Sequence, residues 1–179
     1  MTQASPELPH RSNSGKTALE VSVQAARLAG GIIKERFNSI KEINFKGVKD
    51  IVTDVDLAAE KAILGLLKEE FPDFGVLAEE SEPLETASPF TWVVDPLDGT
   101  RNYASGIPFF STVVGLALDG EVLVGINFDP ARNDMFEAER GRGAFLNGER
   151  MKVSGKTAIE DSILGMDLSY DNEGAINGL

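Results

Sequence analysis

The stretch TWVVDPLDGTRNY, residues 91–103, joins an apolar run to a tight acidic turn. The run is typical of a buried strand, it ends at Asp95, and a proline then fixes the next backbone angle. The turn adds a second carboxylate, Asp98, with the Leu97 carbonyl between the two. Carboxylates and a backbone carbonyl are the oxygen ligands that hard cations such as Mg²⁺ prefer. The stretch therefore predicts a cation site at the end of a sheet strand.

Two other acidic clusters also follow or interrupt apolar segments. Asp54 and Asp56 lie in DIVTDVD, and Glu79 and Glu80 come directly after the apolar run GVLA. Each cluster alone has a plain structural explanation, because an aspartate can cap a helix and a glutamate pair can be loop surface. Together with the turn at residues 95–98 they indicate one shared site.

The hydroxyl of Thr100 extends the pattern toward phosphate chemistry. A helix beginning at this point would direct free N–H groups at an anion, and crowded carboxylates repel one another unless a cation neutralises them. The arrangement suits metal-assisted phosphate ester hydrolysis, in which one ion activates a water and another stabilises the leaving oxygen. There is no cysteine, no P-loop motif, and only His10 as an imidazole base, so competing nucleophile chemistries lack their residues.

Composition narrows the function classes further. The 179 residues carry a net charge of −12, which disfavours partners such as nucleic acid or an anionic membrane. No apolar run approaches the roughly 20 residues that a membrane helix needs. The absence of cysteine and of a signal-type apolar region fits a cytoplasmic protein. Residues 1–13, which include His10, are predicted to be a disordered tail.

Two helices are predicted in the first half of the chain. Apolar residues recur at helical spacing over residues 15–38, with Ser12 or Ser14 as the cap. The glycine pair at 30–31 predicts a kink or a close helix contact. A second helix is expected from about Asp56 to Phe71, where a proline ends it.

The remaining pattern predicts strands and hairpins. Short strands or hairpins are expected at residues 40–50, 75–78 and 91–95, with a turn at Gly47 and a last strand at 162–168. From Ser111 onward the sequence reads as a meander, and its turns are predicted at Asp119-Gly120, Gly141-Arg142-Gly143 and Asn147-Gly148. The predicted fold is therefore α+β, with two helices packed on one face of a mainly antiparallel sheet of about five or six strands. The domain is expected to span residues 14–179.

The same motifs carry a resemblance to a known family. WVVDPLDGTRNY, residues 92–103, resembles the signature of the inositol monophosphatase family. DIVTDVD at 50–56 and LAEESE at 77–82 resemble its two upstream motifs, and GRGAFLNG at 141–148 resembles a further turn. The resemblance covers about residues 15–170 and implies the first half of a layered α/β/α/β/α phosphatase fold.

The resemblance implies a set of metal ligands. Glu79, Asp95 and the Leu97 carbonyl match the ligands of a first Mg²⁺, and Asp95 and Asp98 match ligands of a second. Glu79 also matches the residue that holds water at a weaker third site. Two or three Mg²⁺ ions are therefore expected as cofactors.

The resemblance also implies roles in catalysis and phosphate binding. Thr100 pairs with Asp56 in the family pattern to activate the attacking water, and Glu80 would lie just behind the site and orient it. The N–H groups of Gly99 and Thr100, together with Asp98, would hold the substrate phosphate.

One departure from the family limits these expectations. Family members continue for roughly another hundred residues, a second layered half, and that half carries a W-D-x-A motif with a further metal ligand. Here the single tryptophan, Trp92, is followed by Val93. The C-terminal half is expected to be absent, which leaves one face of the sheet uncovered. Residues 108–110 match family residues that fill the core beneath the loop.

Two functions remain open at this level. The first is a lithium-sensitive, Mg²⁺-dependent phosphatase acting on a small phosphorylated alcohol such as an inositol monophosphate. The second is an inactive metal-binding half-domain or fragment. The choice of substrate within the family and the oligomeric state, including a homodimer, are left open.

Overall fold

The first helix begins at a side-chain N-cap. This computed structural model describes residues 8–39, 43–45 and 51–163. Helix α1 spans Ala18–Arg36, and Thr17 caps it in a reciprocal capping box with Glu20. The prediction of Ser12 or Ser14 as the cap is wrong, because Ser14 bonds the end of another helix.

The second helix starts two residues earlier than predicted. Helix α2 spans Asp54–Glu70, and Thr53 is its N-cap, with the Asp56 side chain reaching back to the Thr53 backbone. Asp56 is therefore the third residue of the capping box and not the start of the helix. The helix ends just before Phe71 and Pro72, as the proline predicts.

A seven-stranded sheet forms the second layer, with a separate two-stranded pair beside the helices. The pair joins β1, Ile43–Phe45, to β2, Ile51–Thr53, as the predicted hairpin requires; its expected turn at Gly47 lies outside the described residues. The large sheet has the order β3-β4-β5-β6-β7-β8-β9. Its strands are β3 Gly75–Ala78, β4 Phe90–Asp98, β5 Ser111–Leu118, β6 Glu121–Asp129, β7 Asp134–Glu139, β8 Gly143–Leu146 and β9 Glu149–Arg150.

The strand pairing confirms the predicted mainly antiparallel sheet. Only the β3–β4 pairing in this sheet is parallel, since a crossover of residues 79–89 joins these two strands. Asp119 and Gly120 both adopt positive φ, 49° and 84°, in the predicted hairpin turn between β5 and β6. Asn147 and Gly148 do the same between β8 and β9. The sheet has seven strands, one or two more than predicted.

The core lies between the two long helices and one face of the sheet. Helix α1 packs on β5 and β6, and α2 packs on β4. Gly30 allows the closest approach, since a Cβ there would lie 2.4 Å from the ring of Phe128. The predicted close contact at this glycine is thus made with the sheet. The largest fully buried side chains are Trp92, Tyr103, Phe71, Ile33, Ile63, Leu67, Leu97, Leu116, Leu123, Ile126, Val21 and Val55.

The opposite face of the sheet exposes apolar side chains. Leu77 and Val93 are register partners on neighbouring strands, and they are 49% and 41% exposed. Phe136 on β7 is 36% exposed, and its register places it on the same face. Among the residues that the structure describes, these side chains form an exposed apolar surface on this face.

The segment before α1 is ordered where the structure describes it. Asn13 donates from its backbone N–H to the Glu70 carbonyl and from its side chain to the Glu69 carbonyl. The His10 ring contacts the rings of Phe71 and Phe74. The predicted disordered tail is therefore wrong for residues 8–13, because the last carbonyls of α2 need hydrogen-bond donors and this segment supplies them.

Two further expectations change in the structure. Phe110 is buried as predicted, but Phe109 is 68% exposed and does not fill the core. Residues 162–163 are not in a strand and follow a 3₁₀ turn at Ile159–Asp161. The rest of the predicted last strand lies outside the described residues. Within the described ranges, no helix is long and apolar enough to cross a membrane.

Candidate metal centre

The acidic turn at the end of β4 is built on a bulge. The register of β4 against β5 shifts between Asp95 and Asp98, so the strand continues to Asp98 instead of ending at Asp95 as predicted. The buried hydroxyl of Thr112 on β5 donates a 2.9 Å hydrogen bond to the Pro96 carbonyl, so this carbonyl of the bulge has a hydrogen-bond partner. The Asp95 carboxylate accepts from the Leu97 N–H at 3.1 Å. Both carboxylates are therefore held by backbone that the sheet fixes.

Gly99 turns the chain from the sheet into a short third helix. It adopts φ 89°, and helix α3, Thr100–Ala104, begins directly after it. A Cβ at this position would lie 2.9 Å from the Phe109 carbonyl oxygen, so glycine is required by conformation and by space. The buried Tyr103 hydroxyl donates to the Ile33 carbonyl and ties α3 to α1. A helix does begin at Thr100, the condition under which the sequence analysis expects free N–H groups to face an anion.

Thr100 connects this turn to the second acidic cluster. Its hydroxyl lies 2.9 Å from Asp56 Oδ1 and 2.9 Å from the Leu97 carbonyl oxygen. Asp56 is fully buried, and its other oxygen accepts from the backbone N–H and the hydroxyl of Thr53. The capping box of α2 thus fixes the carboxylate that Thr100 contacts. The Leu97 carbonyl therefore lies beside the same hydroxyl, and its role as a metal ligand stays a prediction.

Asp95 lies among other carboxylates. Burial, a hydrogen bond with Glu79 and the negative charges of Glu79 and Asp98 raise the pKa of Asp95 to about 8. The electrostatic conflict is the one expected where several carboxylates share a site. A cation placed among these oxygens would relieve it.

Glu60 is a site residue that the sequence analysis missed. The residue is only 4% exposed, and its carboxylate accepts a 2.8 Å hydrogen bond from the backbone N–H of Glu80. This bond ties the Glu79-Glu80 segment to α2. Glu60 lies one helical turn after Asp56, on the buried face of α2. This four-residue spacing places both carboxylates on the same side of the helix, and it is the sequence feature from which Glu60 could have been predicted as a site residue.

The chemical type of the candidate donor atoms fits Mg²⁺. All the candidate donors are oxygens, which Mg²⁺ prefers, and this ion usually takes one or two carboxylates and keeps several waters. Within residues 8–39, 43–45 and 51–163, no group of three or more His, Cys, Asp or Glu side chains is arranged to hold a metal ion. A pair of carboxylates such as Glu79 and Asp95, together with the Leu97 carbonyl and water, would supply the oxygen ligands that Mg²⁺ usually takes.

Comparison with known proteins identifies the family. The sequence profile described as "Inositol monophosphatase family" matches residues 15–178. The chain belongs to the inositol monophosphatase family. The match includes every residue that the sequence analysis assigned to the site, so the motif-based resemblance is confirmed.

Curated relatives of this inositol monophosphatase-family chain carry two kinds of name. The Haemophilus influenzae protein named Nus factor SuhB is 40% identical over 156 residues, which are 85% of this chain and 58% of that protein. Inositol monophosphatase 2 of Solanum lycopersicum is 37% identical over 163 residues, which are 88% and 62% of the two chains. The chain spans less than two thirds of the length of these relatives.

Solved structures of inositol monophosphatase-family proteins share the fold. The suhB protein of Bartonella henselae is 39% identical, with a TM-score of 0.75 over 76% of this chain and 54% of that chain. The Thermotoga maritima IMPase is 36% identical, with a TM-score of 0.71 and the same two coverages. The α+β fold predicted from the sequence is therefore confirmed.

The structure brings most of the predicted site residues together. Hydrogen bonds connect Thr100 to Asp56 and to Leu97, and Asp95 interacts with Glu79 and Asp98. Glu80 is placed through its backbone bond to α2. Asp50, in the upstream motif, lies outside the described residues. The roles of these residues in binding and catalysis stay predictions.

Proposed function

We propose that this chain carries the catalytic centre of a Mg²⁺-dependent phosphoric monoester hydrolase that acts on an inositol monophosphate. The observation that carries the proposal is the Thr100 hydroxyl, which contacts Asp56 and Leu97 at 2.9 Å each beside the Asp95 carboxylate cluster. Membership of the inositol monophosphatase family supports phosphatase chemistry. That the substrate is a small phosphorylated alcohol is proposed in addition to this chemistry.

The proposed metal ligands are the oxygens around the β4 turn. Glu79, Asp95 and the Leu97 carbonyl would hold a first Mg²⁺, Asp95 and Asp98 a second, and Glu79 would also serve a weaker third. When bound, Mg²⁺ supplies Lewis-acid activation of a water and stabilisation of the charge on the leaving oxygen. The raised pKa of Asp95 supports a cation at this position, because a cation would favour the ionised carboxylate that burial and the charges of Glu79 and Asp98 disfavour.

Thr100 is suited to orient the attacking water. A hydroxyl has a single hydrogen, so Thr100 donates to either Asp56 or Leu97 at any moment and keeps lone pairs free. Those lone pairs can accept a hydrogen bond from a water. Asp56 is buried and fixed by Thr53, so it can hold the threonine hydroxyl in the orientation that leaves the lone pairs facing the site. Glu80, tied to Glu60, would orient the water from behind.

The start of α3 is the proposed phosphate contact. The first N–H groups of a helix have no partner within the helix, and Gly99 brings the backbone close to where a phosphate would lie. The N–H groups of Gly99 and Thr100 would donate to the phosphate oxygens, and Asp98 would act through the metal that it binds.

Family membership supports three further parts of the proposal. Lithium would inhibit by replacing an ion at the second site. The protein would be cytoplasmic, which agrees with the absence of cysteine. The exposed face that includes Leu77 and Val93 makes association possible, and the family's dimers make a homodimer the state to test.

The direct test is phosphate release from myo-inositol 1-phosphate by the purified chain, with and without Mg²⁺. We expect release that needs Mg²⁺, and no release by Asp95→Asn. The same assay on a longer protein that includes the family's C-terminal half decides whether the chain alone is complete. No Mg²⁺-dependent release from that longer protein would overturn the proposal.

Two alternative functions have their own tests. An inactive metal-binding half-domain predicts Mg²⁺ binding without phosphate release. The name Nus factor SuhB on relatives such as the Haemophilus influenzae protein favours a Nus-factor role. Asp95→Asn separates this role from catalysis, because a role independent of phosphate release would survive the substitution.

A further inference from the structure

The peptide unit between Pro96 and Leu97 is held by a side chain at each end. Its carbonyl oxygen accepts from the Thr112 hydroxyl at 2.9 Å, and its N–H donates to Asp95 Oδ1 at 3.1 Å. This peptide bond is planar and trans, so its C=O and N–H point in opposite directions. The Thr112 hydroxyl and the Asp95 carboxylate therefore lie on opposite sides of one rigid group.

The β-bulge explains why side chains bind this peptide unit. Between the register pairs at Asp95 and Asp98, two residues of β4 lie opposite the single residue Thr112 of β5. A bulge interrupts the ladder of backbone hydrogen bonds, yet buried backbone polar groups need partners. Pro96 and Leu97 are both buried, so a hydroxyl and a carboxylate supply the bonds that bulk water would supply at an exposed bulge.

Thr112 is a polar residue on an apolar face of its strand. Side chains two positions apart lie on the same face, and Thr112 shares its face with Val114 and Leu116. All three are fully buried. A valine would fill the space at position 112 and would suit a strand equally well, whereas a buried hydroxyl costs free energy unless it is hydrogen-bonded. The bond to the Pro96 carbonyl is therefore what the threonine adds at this position.

We infer that Thr112 is a positioning residue for the candidate metal centre. Its hydroxyl fixes the plane of the Pro96–Leu97 peptide, and the N–H of that peptide fixes the rotation of the Asp95 carboxylate and so the direction of both its oxygens. A hydrogen bond to the carbonyl also polarises the amide, which strengthens the N–H as a donor on the other side. The effect on Mg²⁺ rests on the proposed function, because it requires Asp95 to be a metal ligand.

Three variants separate this role from packing. Thr112→Val removes the hydroxyl and keeps a β-branched side chain of nearly the same shape. Thr112→Ser keeps the hydroxyl and is the conservative rescue. Ser22→Ala is the control, because Ser22 is also fully buried and donates its hydroxyl to a carbonyl, that of Ala18, at 2.8 Å. Ser22 lies about 16 Å along α1 from Ile33, the residue of this helix that α3 contacts.

The first measurement is hydrogen–deuterium exchange of the Leu97 amide in the ¹⁵N-labelled full chain without Mg²⁺, since this N–H makes the bond to Asp95. We expect exchange to be about tenfold faster in Thr112→Val and close to the parent rate in Thr112→Ser and Ser22→Ala. The amides of Val94 and Val114, register partners on the same two strands, correct for any general loosening of the sheet. An unchanged Leu97 rate in Thr112→Val, relative to these two amides, would overturn the inference.

The second measurement is Mg²⁺ affinity by calorimetry. Loss of a group that orients a metal ligand usually lowers metal affinity by about 10–100-fold, and we expect this loss in Thr112→Val but not in Thr112→Ser or Ser22→Ala. Faster exchange at Leu97 with unchanged Mg²⁺ affinity would overturn the role of Thr112 at the metal centre.

Two further outcomes are distinguishable. If the parent chain binds no Mg²⁺, the proposed function and the metal part of the inference both fail, and the Leu97 amide still decides whether Thr112 positions Asp95. If Thr112→Val does not fold, Thr112→Cys takes its place, because a thiol is a weak donor. Its Leu97 exchange rate and Mg²⁺ affinity should then differ from the parent values in the same directions by smaller factors, and parent values in both would overturn the inference.

Discussion

Thr100 donates a 2.9 Å hydrogen bond to the carboxylate of Asp56, although 44 positions separate the two residues in the chain. One residue starts α3 and the other completes the capping box of α2. The contact therefore joins the end of the sheet to the start of a helix at the point where the candidate metal ligands lie. The proposed mechanism depends on this relationship.

Removing the Thr100 hydroxyl should abolish most of the phosphatase activity. In Thr100→Val the side chain keeps its shape but cannot accept a hydrogen bond from a water. We expect the rate of phosphate release to fall by about 10²–10⁴, the usual contribution of a positioned proton-transfer group. Thr100→Ser keeps the hydroxyl and should retain most of the rate. Equal rates for the valine and serine variants would contradict the assignment.

Glu60 should act on the metal site through Glu80. Glu60→Leu removes the acceptor for the Glu80 N–H, and loss of such a supporting hydrogen bond usually lowers metal affinity or activity by about 10–100-fold. Glu60→Gln keeps a carbonyl acceptor and should restore most of the Mg²⁺ affinity, measured by calorimetry. If both variants bind Mg²⁺ like the parent chain, Glu60 has only a packing role.

Gly99 should be required by both backbone conformation and space. Gly99→Ala places a Cβ at positive φ and 2.9 Å from the Phe109 carbonyl oxygen. Gly106→Ala is the matched control, since Gly106 has φ 74° but its Cβ would meet nothing within 4 Å. We expect the free energy of unfolding to fall by about 1 kcal/mol in Gly106→Ala and by about 1–3 kcal/mol more in Gly99→Ala. Chemical denaturation measures both values, and equal losses would show that the clash is relieved.

Glu70 should make stability depend on acid pH. Hydrogen bonds from Ser12 and Ser14, aided by Lys16, lower the pKa of Glu70 to about 2 from the ordinary value of 4.5. The ionised form is therefore favoured in the folded state, and its stabilisation is present above pH 4.5 and lost as the pH falls toward 2.

Thermal melts of Glu70→Gln against the parent chain test this dependence. The variant should melt at a lower temperature at neutral pH, and the difference should shrink between pH 4.5 and 2. Glu69→Gln, which removes the same charge from an exposed neighbour on α2, should show no such pattern. A difference for Glu70→Gln that stays constant with pH would contradict the role of its ionised form.

The sequence predicts those parts of the fold that local periodicity and turn chemistry determine. Asp119-Gly120 and Asn147-Gly148 are predicted as turns because few other residue pairs adopt positive φ readily. The helices are predicted to within about three residues, a normal uncertainty for helix ends. The motif at residues 95–100 also predicts the local groups of the candidate site, including the carbonyl that faces Thr100.

The parts that the sequence does not predict depend on contacts between distant segments. The contacts of Asn13 are made with carbonyls at the end of α2, more than 50 positions away. Glu60 looks like a surface glutamate until the Glu80 N–H is placed beside it.

The most direct test of the account is a calorimetric titration of Mg²⁺ into the parent chain and into Asp95→Asn, because Asp95 is proposed to serve both principal metal ions. Asp73→Asn is the control, since it removes the same charge from an exposed loop position outside the cluster. Thermal melts establish that all three chains are folded. The account predicts saturable Mg²⁺ binding by the parent chain and by Asp73→Asn, and none by Asp95→Asn. Mg²⁺ binding by Asp95→Asn that is as tight as in the parent chain would contradict it.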